Sequence, residues 1–160
     1  MDPLSPVADV LIIGGSHAGL SAALTLYRAL HTTIIFDDHK PRNWYPSSVH
    51  LMPTWEHQSP DKLREASKAE LQDSGLCTFV DATVQRAERL SNELFQVADA
   101  NNSLWIGRKI LVTTGMKDIF PDLGGYTENY PQRMSVTHPF HLIVLFSALF
   151  SFHDLLPSFS

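Results

Sequence analysis

The hydrophobic residues near the start of the chain form a strand pattern followed by a helix pattern. Val10–Ile13 is a continuous apolar run, which is typical of a parallel strand buried on both faces. The run ends at a glycine pair, and Thr32–Phe36 is a second apolar run further along. These patterns predict a strand, a turn, a helix and a second strand. The apolar residues that recur at helical spacing between the two runs are Leu20, Ala23, Leu24, Tyr27 and Leu30.

The rest of the chain predicts one more long helix and several strands. Ser59 is a good helix cap, with a proline directly after it, and Gly75 ends the helix. An Asn101-Asn102 turn between two strand patterns predicts a β-hairpin. The order predicts an α/β fold with a parallel sheet, flanking helices and a β-hairpin. The later strand patterns are Leu76–Val84, Glu93–Ala98, Ser103–Gly107 and Lys109–Thr113.

The turn between the first strand and the helix resembles a dinucleotide-binding loop. Gly14 permits the sharp turn, Gly19 lets the helix pack closely, and the N–H groups that open the helix can face a pyrophosphate. Asp37 follows about 20 residues later, where a carboxylate accepts hydrogen bonds from a ribose diol and repels a 2′-phosphate. Ser16 stands where G-x-G-x-x-G has its middle glycine, and is small enough for a phosphate to approach. The pattern predicts FAD or NAD in preference to NADP. The alternative is an ordinary βαβ unit with a chance glycine turn.

Composition narrows the class of protein further. The chain has 160 residues, enough for one domain with a core, and its net charge of −5 gives no electrostatic footprint for nucleic acid. The first residues lack the basic and apolar regions of a secretory signal, so we expect a cytoplasmic protein. The apolar run Leu142–Phe152 is too short for a typical membrane span. The single cysteine, Cys77, lies among apolar residues and is predicted to be a core residue rather than a nucleophile.

The eight histidines show no zinc-binding spacing, and no metal site is predicted. His138 and His141 are three residues apart but are separated by a proline. His50 and His57 are seven residues apart in an expected loop.

Three segments together resemble one flavoprotein family. They are GGSHAGLSAAL, RNWYPSSVHLMPTWEHQSP and KILVTTGMKDIFPDLGGY. They resemble the thioredoxin reductase-like FAD-dependent pyridine nucleotide-disulfide oxidoreductases, in particular the fungal branch with the gliotoxin-type dithiol oxidases. The resemblance covers roughly residues 8–134 and implies a Rossmann-type FAD/NAD(P)-binding domain.

The resemblance also implies roles for particular residues. Asp37 would hold the adenosine ribose, Arg42 and His50 would lie near the cofactor, and Thr114 and Gly115 would lie near the flavin. In the full-length family a second domain binds NADPH, and a Cys-x-x-Cys pair exchanges electrons with a thiol or disulfide substrate or with thioredoxin. A homodimer is a further expectation. The residues that would hold the pyrophosphate are Gly14, Gly15, Ser16, His17, Ala18 and Gly19.

The chain departs from the family after residue 134. No cysteine pair follows, so the resemblance assigns no catalytic residue, and we interpret the chain as an apparently truncated form. The expected organisation is a flexible lead-in at 1–7, a partial FAD-binding domain at 8–134 and a non-family apolar tail at 135–160. Our hypothesis is that the tail comes from a frameshift or a retained intron in a gene model. The alternative is a buried helix or strand that replaces part of the core.

Three functions therefore stay open. The first is an FAD-dependent, thioredoxin reductase-like oxidoreductase in truncated form. The second is an inactive remnant that binds FAD or an adenine nucleotide. A different flavoprotein, such as a monooxygenase fragment, is the third. A sheet without its later strands exposes an edge and apolar surface, so we expect poor solubility or association.

Overall fold

The computed structural model describes residues 7–42, 47–90, 93–117 and 119–129. The chain divides into two units, Met1–Asp118 and Ile119–Ser160. Of the predicted lead-in only Val7 is described, and the predicted tail at 135–160 lies outside the described residues. The described elements are β1 (Ala8–Ile13), α1 (His17–Arg28), β2 (Thr33–Asp37), α2 (Pro60–Asp73), β3 (Cys77–Asp81), β4 (Val84–Arg89), β5 (Phe95–Asp99), β6 (Leu104–Val112) and α3 (Tyr126–Asn129).

The six strands form one sheet in the order β3-β2-β1-β6-β5-β4. The pairs β3–β2, β2–β1 and β1–β6 are parallel, whereas β6–β5 and β5–β4 are antiparallel. The predicted α/β fold with a parallel sheet, flanking helices and a β-hairpin is confirmed. β1 lies between β2 and β6, so strand order reverses beside it.

β1 is buried on both faces of the sheet, as its apolar run predicts. Ile12 belongs to a core cluster with Leu20 and Ala23 of α1, and Leu11 belongs to a second cluster with Phe36 of β2 on the opposite face. Both side chains have no exposed surface. Because a parallel strand is buried on both faces, successive residues are all apolar, and its sequence is an unbroken hydrophobic run.

The prediction that Leu24 and Leu30 belong to the buried stripe of the first helix is wrong. Leu24 is 38% exposed and Leu30 is 79% exposed. The stripe of α1 that faces the sheet is set by Gly19, Leu20 and Ala23, which leaves Leu24 on the solvent side. The helix ends at Arg28, and Leu30 lies beyond it with a positive φ of 62°.

The second helix begins as its sequence predicts. Ser59 is extended, and its side-chain oxygen accepts a hydrogen bond from the N–H of Asp61 at 3.2 Å. Pro60 occupies the first helical position, where its missing N–H costs nothing. Leu63 and Leu71 are the buried leucines of this helix. The helix therefore packs Leu71 into the core cluster that contains Cys77, which is buried as predicted.

The following three strand predictions are wrong in their bounds. Leu76–Val84 is not one strand, because β3 ends at Asp81, the chain turns, and β4 starts at Val84. Ser103–Gly107 and Lys109–Thr113 are not separate strands but parts of β6. Gly107 pairs with β5 on one side and with β1 on the other, which makes β6 continuous. A Cβ atom at position 107 would lie 2.6 Å from Leu11 Cγ, so glycine gives β1 the space it needs.

The second unit is described only over residues 119–129. It contains the short helix α3, and the rings of Phe120 and Tyr126 lie 5.8 Å apart. Within the described ranges, no helix combines the length and apolar character that a membrane span requires.

Candidate functional site

The carboxyl ends of β1, β2 and β6 meet at one edge of the sheet. Gly14 directly follows β1, Asp37 ends β2, and Thr113 directly follows β6. The connection from β1 through α1 leads to β2, which pairs with one edge of β1. β6 pairs with the other edge of β1. In open α/β sheets, ligands bind at such a reversal of strand order, beyond the carboxyl ends of the strands.

The glycine turn after β1 is held tightly in place. Gly14 has a φ of +115°, a conformation that residues with side chains rarely adopt, and its N–H donates to the carbonyl of Phe36 at 2.9 Å. A Cβ atom on Gly19 would lie 1.9 Å from the Gly14 carbonyl oxygen. The first turn of α1 therefore lies directly on the glycine turn, with no room for a side chain between them.

Thr113 fastens the turn from the other side of β1. Its hydroxyl oxygen lies 3.0 Å from the carbonyl oxygen of Ile13 and 2.9 Å from that of Gly14. Its backbone N–H donates to the carbonyl of Ile13 at 2.9 Å. Sequence reasoning missed this residue and singled out Thr114 and Gly115 instead. The available signal was a hydroxyl residue directly after a buried strand. Thr114 and Gly115 are exposed, and Gly115 has a positive φ of 66°.

Asp37 lies against the glycine turn. A Cβ atom on Gly15 would lie 2.6 Å from the Asp37 Cβ and 2.9 Å from Oδ2. The Asp37 carboxylate is 20% exposed, and its Oδ1 accepts the N–H of His39 at 3.0 Å. The structure thus brings the predicted ribose-binding acid and the predicted pyrophosphate-binding turn together.

The start of α1 completes this edge. Ser16 is the cap residue, and the first helical hydrogen bond runs from the N–H of Leu20 to the Ser16 carbonyl at 2.9 Å. The N–H groups of Ala18 and Gly19 precede that bond and point toward the helix start. The first turn contains no acidic residue. The positive end of the helix dipole therefore faces the turn, which suits a phosphate group.

His17 lies at the same helix start and is partly buried. Burial lowers the pKa of His17, and the positive charge of Arg64 lowers it further. Arg64 lies on α2, is only 15% exposed and pairs with Asp61. At neutral pH the permanent positive charge beside the helix start therefore comes from Arg64, because His17 is neutral.

A network of polar side-chain contacts extends from Asp37 to β3. His39 Nδ1 lies 3.5 Å from Asp37 Oδ2, and His39 Nε2 lies 3.0 Å from Asp81 Oδ1. Asp81 also pairs with Lys68 of α2 at 3.3 Å, and chiefly for that reason its pKa is lowered. Sequence reasoning missed this network, because its members come from three separate segments.

The remaining predicted residues lie on the connection between β2 and α2. Arg42 is exposed and directly precedes residues 43–46, which lie outside the described ranges. His50 lies on residues 47–58, where its ring nitrogens contact Ser48 and Glu56. The structure therefore groups Gly14 to Gly19 with Asp37 at the sheet edge and places His50 in a second set of contacts.

Two fungal proteins match most of this chain. Thioredoxin reductase aclD of Aspergillus oryzae is 37% identical over 131 residues, covering 80% of this chain and 41% of its own length. Thioredoxin reductase sirT of Leptosphaeria maculans is 38% identical over 124 residues, covering 76% of this chain and 38% of its own length. The chain thus spans about two fifths of the length of the curated relatives it matches. No family model matches the chain.

Solved structures agree with the sequence matches. TrxB of Bacillus anthracis superposes with a TM-score of 0.73 at 26% identity, covering 77% of this chain and 41% of that protein. An oxidoreductase of Agrobacterium tumefaciens superposes with a TM-score of 0.72 at 27% identity, covering 78% of this chain and 42% of that protein.

Proposed function

Because the chain belongs to the thioredoxin reductase-like family, we propose that it forms part of an FAD-dependent oxidoreductase that acts on thiols or disulfides. The chain spans about two fifths of the length of these relatives, so the activity of the whole enzyme is proposed from the family. The resemblance to gliotoxin-type dithiol oxidases favours a role in fungal secondary metabolism. A homodimer and a thioredoxin partner rest on the resemblance alone, and a cytoplasmic location stays a prediction from the sequence.

The observation that carries this proposal is the approach of Asp37 to Gly15. In the proposed site Asp37 accepts hydrogen bonds from the adenosine ribose of FAD, while the turn from Gly14 to Gly19 holds the pyrophosphate with backbone N–H groups. Arg64 contributes positive charge at the start of α1. The residues present fit the adenosine and pyrophosphate half of the cofactor, because a carboxylate and a side-chain-free turn are adjacent.

Other family-implied contacts complete the proposed site. Thr114 and Gly115 are exposed directly after β6, at the same sheet edge as the glycine turn, and we assign them to the flavin side. Arg42 and His50 are assigned to the neighbourhood of the cofactor from the resemblance. The proposed partial FAD-binding domain spans residues 8–134.

When bound, FAD supplies the capacity to accept and return two electrons. The residues of this chain supply binding and orientation. Thiol–disulfide exchange needs an attacking thiolate and a partner thiol. The chain contains a single cysteine, Cys77, which is buried in the core. The proposal therefore assigns no thiol exchange to these residues, and NADPH is expected only for the full-length family.

A second candidate function follows from that single buried cysteine. It is a module that binds FAD or an adenine nucleotide and catalyses no reaction. Both candidates share the same binding site at the carboxyl ends of β1 and β2. They differ in whether electrons pass through the bound flavin.

The visible absorption spectrum of the purified chain tests the shared binding site. FAD is added, the sample is desalted, and flavin absorbance is compared with that of an untreated sample. Retained flavin colour supports the proposal, and a colourless protein contradicts it. If flavin is retained, NADPH and, separately, a dithiol are added under anaerobic conditions. Bleaching by either reductant would show that electrons pass through the flavin bound by this chain, and would contradict the binding module.

A further inference from the structure

Residues 47–58 form a closed loop between β2 and α2, which we term the histidine loop. The N–H of Val49 donates to the carbonyl of Gln58 at 2.7 Å, and the N–H of His57 donates to the carbonyl of Val49 at 2.9 Å. These bonds bring the two ends of the loop side by side. His50 on one arm therefore lies close to Glu56 and His57 on the other.

Three metal-ligating groups meet in the histidine loop. His50 Nδ1 lies 2.8 Å from Glu56 Oε1, and His57 Nε2 lies 3.8 Å from the same oxygen. All three ligand atoms lie within 4.8 Å of one another. The two imidazole rings meet edge to face, with centroids 5.1 Å apart. Two imidazoles and a carboxylate are a ligand set that suits Zn²⁺.

The two distances from Glu56 Oε1 bracket the ligand separation of a tetrahedral site. Zinc bonds of about 2.0–2.1 Å place neighbouring ligand atoms about 3.3 Å apart. The observed 2.8 Å and 3.8 Å lie on either side of that value. All three side chains are exposed, so an ion can enter from solvent.

Atoms that would not bind the ion already have partners. Ser48 Oγ lies 3.1 Å from His50 Nε2, the ring nitrogen opposite Nδ1. Glu56 Oε2 accepts the N–H of Leu51 at 2.8 Å, which leaves Oε1 toward the histidines. Ligands of real metal sites are oriented in this way by hydrogen bonds to their second nitrogen or oxygen.

We propose that His50, Glu56 and His57 bind one divalent transition-metal ion, Zn²⁺ in preference, with water in the remaining coordination position. This site goes beyond the proposed function and does not rest on it. Spacing along the chain did not indicate it, because Glu56 joins the two histidines only when the loop closes.

Calorimetric titration of the full-length chain with Zn²⁺ tests the proposal. The protein carries no affinity tag, and FAD is omitted, so the result is independent of flavin binding. We expect one ion per chain. Glu56→Gln and His57→Gln should each weaken binding at least about tenfold, and Ser48→Ala should weaken it by about tenfold through the orientation of His50. Ser47→Ala and His31→Gln are the matched controls and should bind as the wild type does.

The visible spectrum of the Co²⁺ complex gives a second readout that needs no variant. Intense d–d bands indicate a low-coordinate site with protein ligands, whereas weak bands indicate a hydrated ion. Circular dichroism confirms that each variant remains folded. The proposal is overturned if the wild type binds no ion, if the Co²⁺ bands are weak, or if Glu56→Gln and His57→Gln bind Zn²⁺ unchanged. In the last case other groups of the chain hold the ion.

Discussion

The carboxylate of Asp37 lies against Gly15, so closely that a Cβ atom at position 15 would lie 2.7 Å from the Asp37 Cγ. This relationship joins the turn after β1 to the end of β2. It also determines what a substitution at either position does.

Replacement of Gly15 by alanine should destabilise the protein and weaken FAD binding. The new methyl group has to push Asp37 aside, which costs about 1–3 kcal/mol as overpacking does in a core. Thermal unfolding and flavin fluorescence measure the two effects. Gly124→Ala is the control, because a Cβ atom there meets nothing within 4 Å. A Gly15→Ala protein with wild-type stability and FAD affinity contradicts this packing.

Thr113→Val should lower the free energy of unfolding by about 1–2 kcal/mol. Valine keeps the shape of threonine but removes the hydroxyl that bonds the carbonyls of Ile13 and Gly14. Urea denaturation measures the change. Thr114→Val, at the exposed neighbouring position, serves as the control for stability and should have little effect. Equal midpoints for the two variants would show that the Thr113 hydroxyl does not hold the turn.

His17 should make stability depend on pH in the weakly acidic range. Burial first, and Arg64 second, lower its pKa below the ordinary value of 6.5. The unfolded chain then binds more protons, so stability is fully present above about pH 6.5 and falls as pH drops through that value toward the folded-state pKa. His17→Gln should flatten the curve between pH 7 and pH 5.

Carboxyl groups with lowered pKa values do not obscure that window. The pKa values of Asp9, Asp81 and Asp99 lie below the ordinary 3.8, and that of Glu56 lies below the ordinary 4.5. These groups therefore lose their stabilising effect only in stronger acid. Denaturation at several pH values compares wild type, His17→Gln and, as a control for the loss of one histidine, His31→Gln. A His17→Gln curve as steep as that of the wild type contradicts the assignment.

The chain should bind NAD⁺ at least about tenfold more tightly than NADP⁺. The two ligands differ by a 2′-phosphate, which the charged Asp37 repels when both lie at the end of β2. Asp37→Asn should bring the two affinities closer together, whereas Asp38→Asn should not. Equilibrium dialysis with both ligands measures the ratio, and equal affinities in the wild type would contradict a ribose site at Asp37.

Local signals in the sequence predicted much of the fold correctly. The cap at Ser59 and the proline after it act on neighbouring residues, so the start of α2 follows from five or six positions. The glycine turn is equally local. β4 was missed because its residues Val84–Arg89 are mostly polar and exposed, and its position is fixed by pairing with β5.

The candidate site could be predicted only in part. Residues on one segment, such as Gly14 and Gly19, follow from the spacing of a known turn. Thr113 reaches the same turn through the pairing of β6 with β1, across about a hundred residues of sequence. The meeting of His50 with Glu56 depends on a loop in which Leu51 and Thr54 adopt positive φ values, and no residue type there signals that conformation.

Titration of the chain with FAD, followed by flavin fluorescence, tests the central claim most directly. Wild-type protein and Asp37→Ser are compared, with Asp38→Asn as the control. We predict one FAD per wild-type chain and binding about tenfold or more weaker in Asp37→Ser, because the hydrogen bonds of a charged carboxylate to the ribose are lost. A wild-type chain that binds no FAD, or an Asp37→Ser variant that binds FAD as tightly as the wild type, would contradict the account.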